Sequence, residues 1–195
     1  MSTPLQPEKI IEAALFTAEE PLPIDKLAQL FDEPRPSLGQ IREWIASLQC
    51  FYQERGVELV EVASGYRFQA KSNMTDFLKR LRDQKQARYS RAFLETLALI
   101  AYQQPITRSE IEEVRGVSVN PQIIKTLLER NWIKVAGYRD APGKPALLAT
   151  TREFLDYFNL TSLKELPPLA ELVDFGLLEK QLGLQSPASE KNGQI

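Results

Sequence analysis

Apolar residues recur at helical spacing through most of this chain and switch to alternation in a few short stretches. From Pro7 to Ala18, Ile10-Ile11 and Ala14-Leu15 share one face, and Pro7 suits a first helical turn. Pro21-Leu22-Pro23 interrupts the pattern. Ile24, Leu27, Leu30 and Phe31 predict a short second helix. After Pro34-Arg35-Pro36, with Ser37 as cap, Leu38, Ile41, Trp44-Ile45, Leu48 and Tyr52 predict a longer third helix. Its end is expected near Arg55-Gly56, because glycine tolerates the left-handed stop. Val57 to Val62 then alternates apolar with charged residues, Ser64-Gly65 reads as a tight turn, and Tyr66, Phe68 and Ala70 return as a second strand. A fourth helix starts at Asn73 or Thr75, carrying Phe77-Leu78 and Leu81.

The second half repeats that order. Phe93-Leu94, Leu97-Ala98 and Ile100-Ala101 predict a helix that stops at Gln103-Gln104-Pro105. Thr107 and Glu110 have capping-box spacing for a helix carrying Ile111 and Val114. Asn120-Pro121 predicts the N-cap and first residue of a third helix with Ile123-Ile124 and Leu127-Leu128, and Asn131 suits its left-handed end. Trp132 to Val135 and Ala146 to Ala149 read as strands around a Pro142-Gly143 turn, followed by a short helix with Phe154-Leu155 and Tyr157-Phe158. Each half is three helices, a two-stranded ribbon and a helix. The expected fold is mainly α with small β wings (α+β), as two tandem winged-helix domains. Their expected spans are 1–84 and 90–169, with a linker at 85–89 and a tail at 170–195, partly helical and then disordered.

Composition narrows the chemistry. The chain has no histidine and one cysteine, so Ser-His, Cys-His and zinc sites built from this chain are excluded, as is an internal disulfide. Cys50, beside Phe51 in a helical pattern, reads as a small buried hydrophobe. No glycine-rich phosphate loop occurs, the paired carboxylates have plain surface explanations, and no cofactor is expected. Neither a signal sequence nor a membrane-spanning run is read, so cytoplasmic location is expected. Net charge is −2, and a chain living mainly on nucleic acid is usually more basic.

A winged helix still raises the question of DNA. The predicted third helix of the second half offers Lys125 and Arg130 against Glu129, and the wing Arg139 and Lys144 against Asp140. Those are thin footprints, because phosphate neutralisation by many cations supplies DNA affinity. One basic run, with Lys79, Arg80, Arg82, Lys85, Arg88 and Arg91 against Asp83, is a candidate patch for nucleic acid or an acidic partner. The preferred reading of this run is a solvated helix end and linker, since charge runs are usually just solvated. A DNA-binding transcriptional regulator is therefore the alternative reading.

The run from Leu94 to Val117 (LETLALIAYQQPITRSEIEEVRGV) resembles the signature of the segregation and condensation protein B (ScpB) family. So do Thr126 to Arg130, Pro142 to Pro145, Thr150 to Leu155 and Phe158 to Pro167. Departures are Lys144 for a common arginine, Leu148-Ala149 for an aromatic and glycine, and Asn131-Trp132 for a glycine and aliphatic residue. The resemblance implies a non-enzymatic, nucleoid-associated subunit of a chromosome-condensing SMC complex. It implies a homodimer formed through the first domain and a grip on the kleisin ScpA, which bridges to the SMC ATPase. DNA contact would be indirect or weak. On that reading Tyr102, Trp132 and Tyr138 are candidate partner contacts in the second domain, with core packing as the competing role of each.

Overall fold

A computed structural model describes residues 6–81 and 89–166. These form two compact units, one of residues 6–81 with 159–161, the other of 89–158 with 162–166.

The first unit opens with α1 (Pro7–Thr17), α2 (Ile24–Ala28) and α3 (Leu38–Phe51). Ser37 caps α3 in a capping box, accepting from the Gln40 amide while the Gln40 side chain accepts from the Ser37 amide at 2.9 Å. Ile11 and Leu15 of α1, Leu27 of α2, and Ile41, Ile45 and Leu48 of α3 meet in one core with Leu59 and Tyr66. Burying a side chain of this size stabilises by about 1.5–3 kcal/mol. β1 (Val57–Val62) and β2 (Gly65–Ala70) pair antiparallel, and a 3-10 turn leads into α4 (Thr75–Lys79).

Two expectations for α3 change. It stops at Phe51, with Tyr52 as its C-cap at φ −91° and ψ 1°, not near Gly56, while Tyr52 still packs in the core and donates its hydroxyl to Glu12. Cys50 is exposed rather than buried. The inward stripe is Ile41, Ile45, Leu48 and Tyr52, and two residues beyond Leu48 is about 200° around the helix.

The second unit contains α5 (Arg91–Gln103), β3 (Ile106–Thr107), α6 (Arg108–Arg115), α7 (Pro121–Glu129), β4 (Ile133–Tyr138), β5 (Ala146–Thr150) and α8 (Arg152–Tyr157). The Thr107–Glu110 capping box and the Asn120 cap form as their spacing predicts. Asn131 adopts φ 55°, with its amide bonded to Leu128 O and that of Trp132 to Leu127 O. That is a Schellman ending, which sends the chain directly into β4. The core gathers Phe93, Leu97, Ile100, Ile111, Leu127, Ile133, Leu148 and Phe154.

Each unit gains a third pairing partner that periodicity did not predict. Ile106–Thr107 reads in sequence as the restart of a helix, but it pairs with β5 at Leu148 and Leu147, giving sheet order β3-β5-β4. In the first unit Leu22 and Tyr66 exchange main-chain hydrogen bonds of 2.9 Å in each direction. Pro21 and Pro23 lack amide hydrogens, so Leu22 alone in that tripeptide can donate.

Candidate partner-binding site

The wing of the second unit begins from a buried anchor. Trp132 is 3% exposed, with its ring centroid 4.5 Å from Tyr157, 5.2 Å from Phe158 and 5.5 Å from Tyr89. Arg130 lies over the Tyr89 and Trp132 rings at 5.1 and 5.4 Å. Burial raises the Tyr89 phenol to a pKa of about 12, with Tyr157 adding to the rise. Trp132 is thus a packing residue and presents no free face to a partner, which corrects its candidacy as a contact. Its place as the second residue past a Schellman cap turns it inward.

Beyond Trp132 the strand emerges from the core. Ile133 is 1% exposed, whereas Val135 is 43% and Tyr138 68% exposed. A bulge at Ala136 separates those two, shifting the register to β5 by one residue. Past Tyr138, Arg139 donates its amide to Pro145 O at 2.9 Å, and Lys144 donates to Ala141 O at 2.9 Å. Gly143 at φ 82° and Lys144 at φ 40° close the turn. An open cleft of about 430 Å³ is lined by Tyr138, Arg139, Asp140 and Lys144.

Glu110 ties this wing to α6. Its carboxylate accepts from the Thr107 amide and hydroxyl and meets Arg139 Nη1 at 2.8 Å. The Thr107 amide, then its hydroxyl, then Arg139 hold the Glu110 carboxyl below the usual range. Glu112 is likewise depressed, chiefly by the Val119 amide and then by Arg108.

Of the sequence candidates, Tyr102 is half-buried on α5 and Tyr138 alone of the three is exposed on the wing. Val114 near the end of α6, Val117 just past it and Val135 on β4 are exposed apolar positions, at 55%, 57% and 43%, none of them a sequence candidate for partner contact. Helical periodicity assigned Val114 inward, but α6 buries only Ile111. In the first unit Phe16, Phe51 and Phe77 are 52%, 58% and 64% exposed.

The basic run is only partly described. Arg82, Lys85 and Arg88 lie outside the described residues. Lys79 is paired with Asp76 at 2.9 Å, and Arg91 with Glu95 at 2.8 Å. Arg80 lies 5.9 Å over the Phe77 ring. On α7, Lys125 is paired with Glu129 at 3.7 Å. Among the described residues no group of three or more His, Cys, Asp or Glu is placed to hold a metal ion, and no helix is long and apolar enough to cross a membrane.

A family profile described as "Segregation and condensation complex subunit ScpB" matches residues 9–169. A segregation and condensation protein B homolog of Coxiella burnetii is 59% identical over 182 residues, 93% of this chain and 87% of that protein. Segregation and condensation protein B of Geobacillus thermodenitrificans is 44% identical over 179 residues, 90% and 84% of the two chains. Among solved structures, a dimer of the ScpB N-terminal domain complexed with ScpA peptide matches 42% of this chain and 98% of its own at 28% identity. Its TM-score of 0.36 is too low for that arrangement to be carried over.

Proposed function

The chain belongs to the ScpB family of segregation and condensation complex subunits, and from that membership we propose that it works by holding other proteins rather than by catalysis. It is a subunit of the SMC–ScpA–ScpB complex, binds the kleisin ScpA, and supports chromosome condensation and segregation. It acts as a homodimer built through the first unit, and reaches the SMC ATPase through the kleisin. Its place is the cytoplasm, with the nucleoid.

The observation that carries this reading is the family match across residues 9–169, which spans both units. The surface supports it. Winged-helix units that work on DNA present unpaired cations on the recognition helix. Here Lys125 is paired with Glu129 on its own helix at 3.7 Å, and the wing presents an exposed tyrosine and valine beside its few cations. Exposed aromatic and aliphatic side chains are what protein contacts need at their centre. Tyr138 is accordingly the proposed contact of the second unit, with Tyr102 at the margin.

The experiment is to mix the purified chain with ScpA from the same cell and weigh the products by light scattering. The expected result is a dimer alone, a heavier complex with ScpA, and no ATP hydrolysis by the chain itself. A monomer that leaves ScpA unshifted defeats the proposal.

A further inference from the structure

The first unit carries an aromatic face that its own core leaves half open. Phe16, near the end of α1, stacks on Phe68 of β2, with ring centroids 4.1 Å and planes 8° apart. Tyr52 meets those two rings edge-on at 6.1 and 4.8 Å, and Phe51 meets Tyr52 at 5.3 Å. Arg55 lies 4.3 Å over the Phe51 ring. Four rings from three elements thus form one cluster. Its inner member, Tyr52, is 8% exposed, whereas Phe16 and Phe51 are 52% and 58% exposed. The face continues past the end of α3. The Lys71 amide donates to Gly56 O at 3.1 Å, and a β-carbon on Gly56 would lie 3.8 Å from Met74 Cγ. That packing brings the start of α4 to the same end of the unit, where Phe77 is 64% exposed.

Three phenylalanines open to this extent leave roughly 300 Å² of apolar surface. A patch of that size on a soluble chain marks a contact, whereas single exposed apolar residues do not. A standard interface covers about 800 Å² per partner, with an apolar centre and a polar rim, so this patch is large enough for the centre of one. The charges around it have both signs. Arg55 and Arg80 lie over Phe51 and Phe77, and Lys71 donates to Gln53 O. Glu12 accepts from the Tyr52 hydroxyl, Lys79 is paired with Asp76, and Glu19, Glu20 and Glu54 are exposed. Duplex DNA or a strongly acidic segment calls for a face of one sign, and a face of one sign repels its own copy. A mixed one can meet itself. A cleft of about 440 Å³ also opens beside Tyr52, with Gln53, Leu59 and Lys71 in its lining. The face therefore has projecting rings and a hollow, which a two-fold contact pairs reciprocally.

We propose that this face is where two copies of the chain meet, in an isologous contact centred on Phe16 and Phe51 with Phe77 at its margin. This rests on the reading that the chain is a homodimer built through its first unit, and it names the surface that builds it.

The test uses the full chain, weighed by sedimentation over a series of concentrations. Each residue of an isologous contact occurs twice, so Phe16→Glu and Phe51→Glu each place two carboxylates in the apolar centre. Each is expected to weaken dimerisation about 100-fold or more, while Phe16→Leu stays within about threefold of the unaltered chain. Leu38→Glu is the control. Leu38 is 39% exposed at the first residue of α3, roughly 20 Å along the helix from Phe51, and its replacement is expected to leave the dimer intact. Hydroxyl-radical footprinting of the unaltered chain reads the rings directly. Oxidation of Phe16 and Phe51 is expected to fall several-fold between dilute and concentrated chain, and that of Leu38 to stay level. Dimers that persist in both glutamate variants overturn the proposed face and leave the homodimer reading intact. An unaltered chain that is monomeric at every concentration overturns both. Glutamate variants that dimerise normally but lose ScpA assign the face to ScpA and overturn the proposal, as does equal loss of the dimer in Leu38→Glu. If the glutamate variants fail to fold, the footprint of the unaltered chain decides.

Discussion

Replacing Trp132 and Tyr138 separately by alanine tests whether the second unit divides its aromatics between packing and recognition. Trp132 is 3% exposed and touches Tyr89, Phe93, Tyr157 and Phe158, with ring centroids 4.5–6.2 Å away. Truncating a buried tryptophan costs about 3–5 kcal/mol, transfer and cavity terms together. The stacked position of Arg130 is lost as well, which keeps the expectation in the upper part of that range. Tyr138, at 68% exposed, has little packing to lose, so Tyr138→Ala is expected to change stability by less than about 0.5 kcal/mol. A chain of two units does not unfold as one two-state system, so hydrogen exchange resolved to peptides from α5, β4 and α8 is the suitable assay. Trp132→Ala is expected to lower protection there by at least about 100-fold, since each 1.4 kcal/mol is tenfold. Tyr138→Ala leaves protection unchanged and weakens ScpA binding. Unchanged protection in Trp132→Ala, or a large loss in Tyr138→Ala, would refute the assignment.

Gly65 sits at φ 138°, and a β-carbon there would lie 2.3 Å from the Leu22 carbonyl carbon and oxygen. Gly65→Ala must therefore break the Leu22–Tyr66 exchange or shift a strand; two hydrogen bonds plus backbone strain put the loss at roughly 2–5 kcal/mol by urea denaturation followed in the first unit. The Glu110 and Glu112 carboxyls titrate below their ordinary 4.5 when folded. Their stabilisation is present above that value and lost as pH falls through the depressed values. Unfolding midpoints measured by circular dichroism should drop on acidification, with a shallower drop in Glu110→Gln and Glu112→Gln. For Tyr89 the sign reverses. Its folded pKa of about 12 exceeds the ordinary 10.0, so stability is present below 10.0 and lost as pH rises through about 12, and Tyr89→Phe should flatten that alkaline limb in the same measurement.

Local chemistry was legible along the chain wherever neighbours decide the outcome. The Ser37 and Thr107 boxes, the Asn120 cap, the Asn131 helix stop and the Pro142-Gly143 turn each depend on residues within four positions. The long helices were legible because an apolar stripe can be buried in one way only. Pattern failed where a residue's fate depends on distant chain. Leu22 looks like a helix break and Ile106–Thr107 like a helix restart, and only the arrival of β2 and β5 beside them makes the one a bridge and the other a strand. Cys50 looked buried because its neighbours are apolar, but the α3 stripe passes it by.

The family and the winged-helix order were determined by the sequence itself, through motif wording and a change of hydrophobic period. Which aromatics stay inside was decided by the tertiary structure. Trp132 and Tyr138 stand at the two ends of β4, and the predicted strand, Trp132 to Val135, stopped short of Tyr138. The Schellman turn points one into the core, and the bulge at Ala136 carries the other out to solvent. Burial is a property of what packs on a residue, so it becomes visible only when the whole unit has closed.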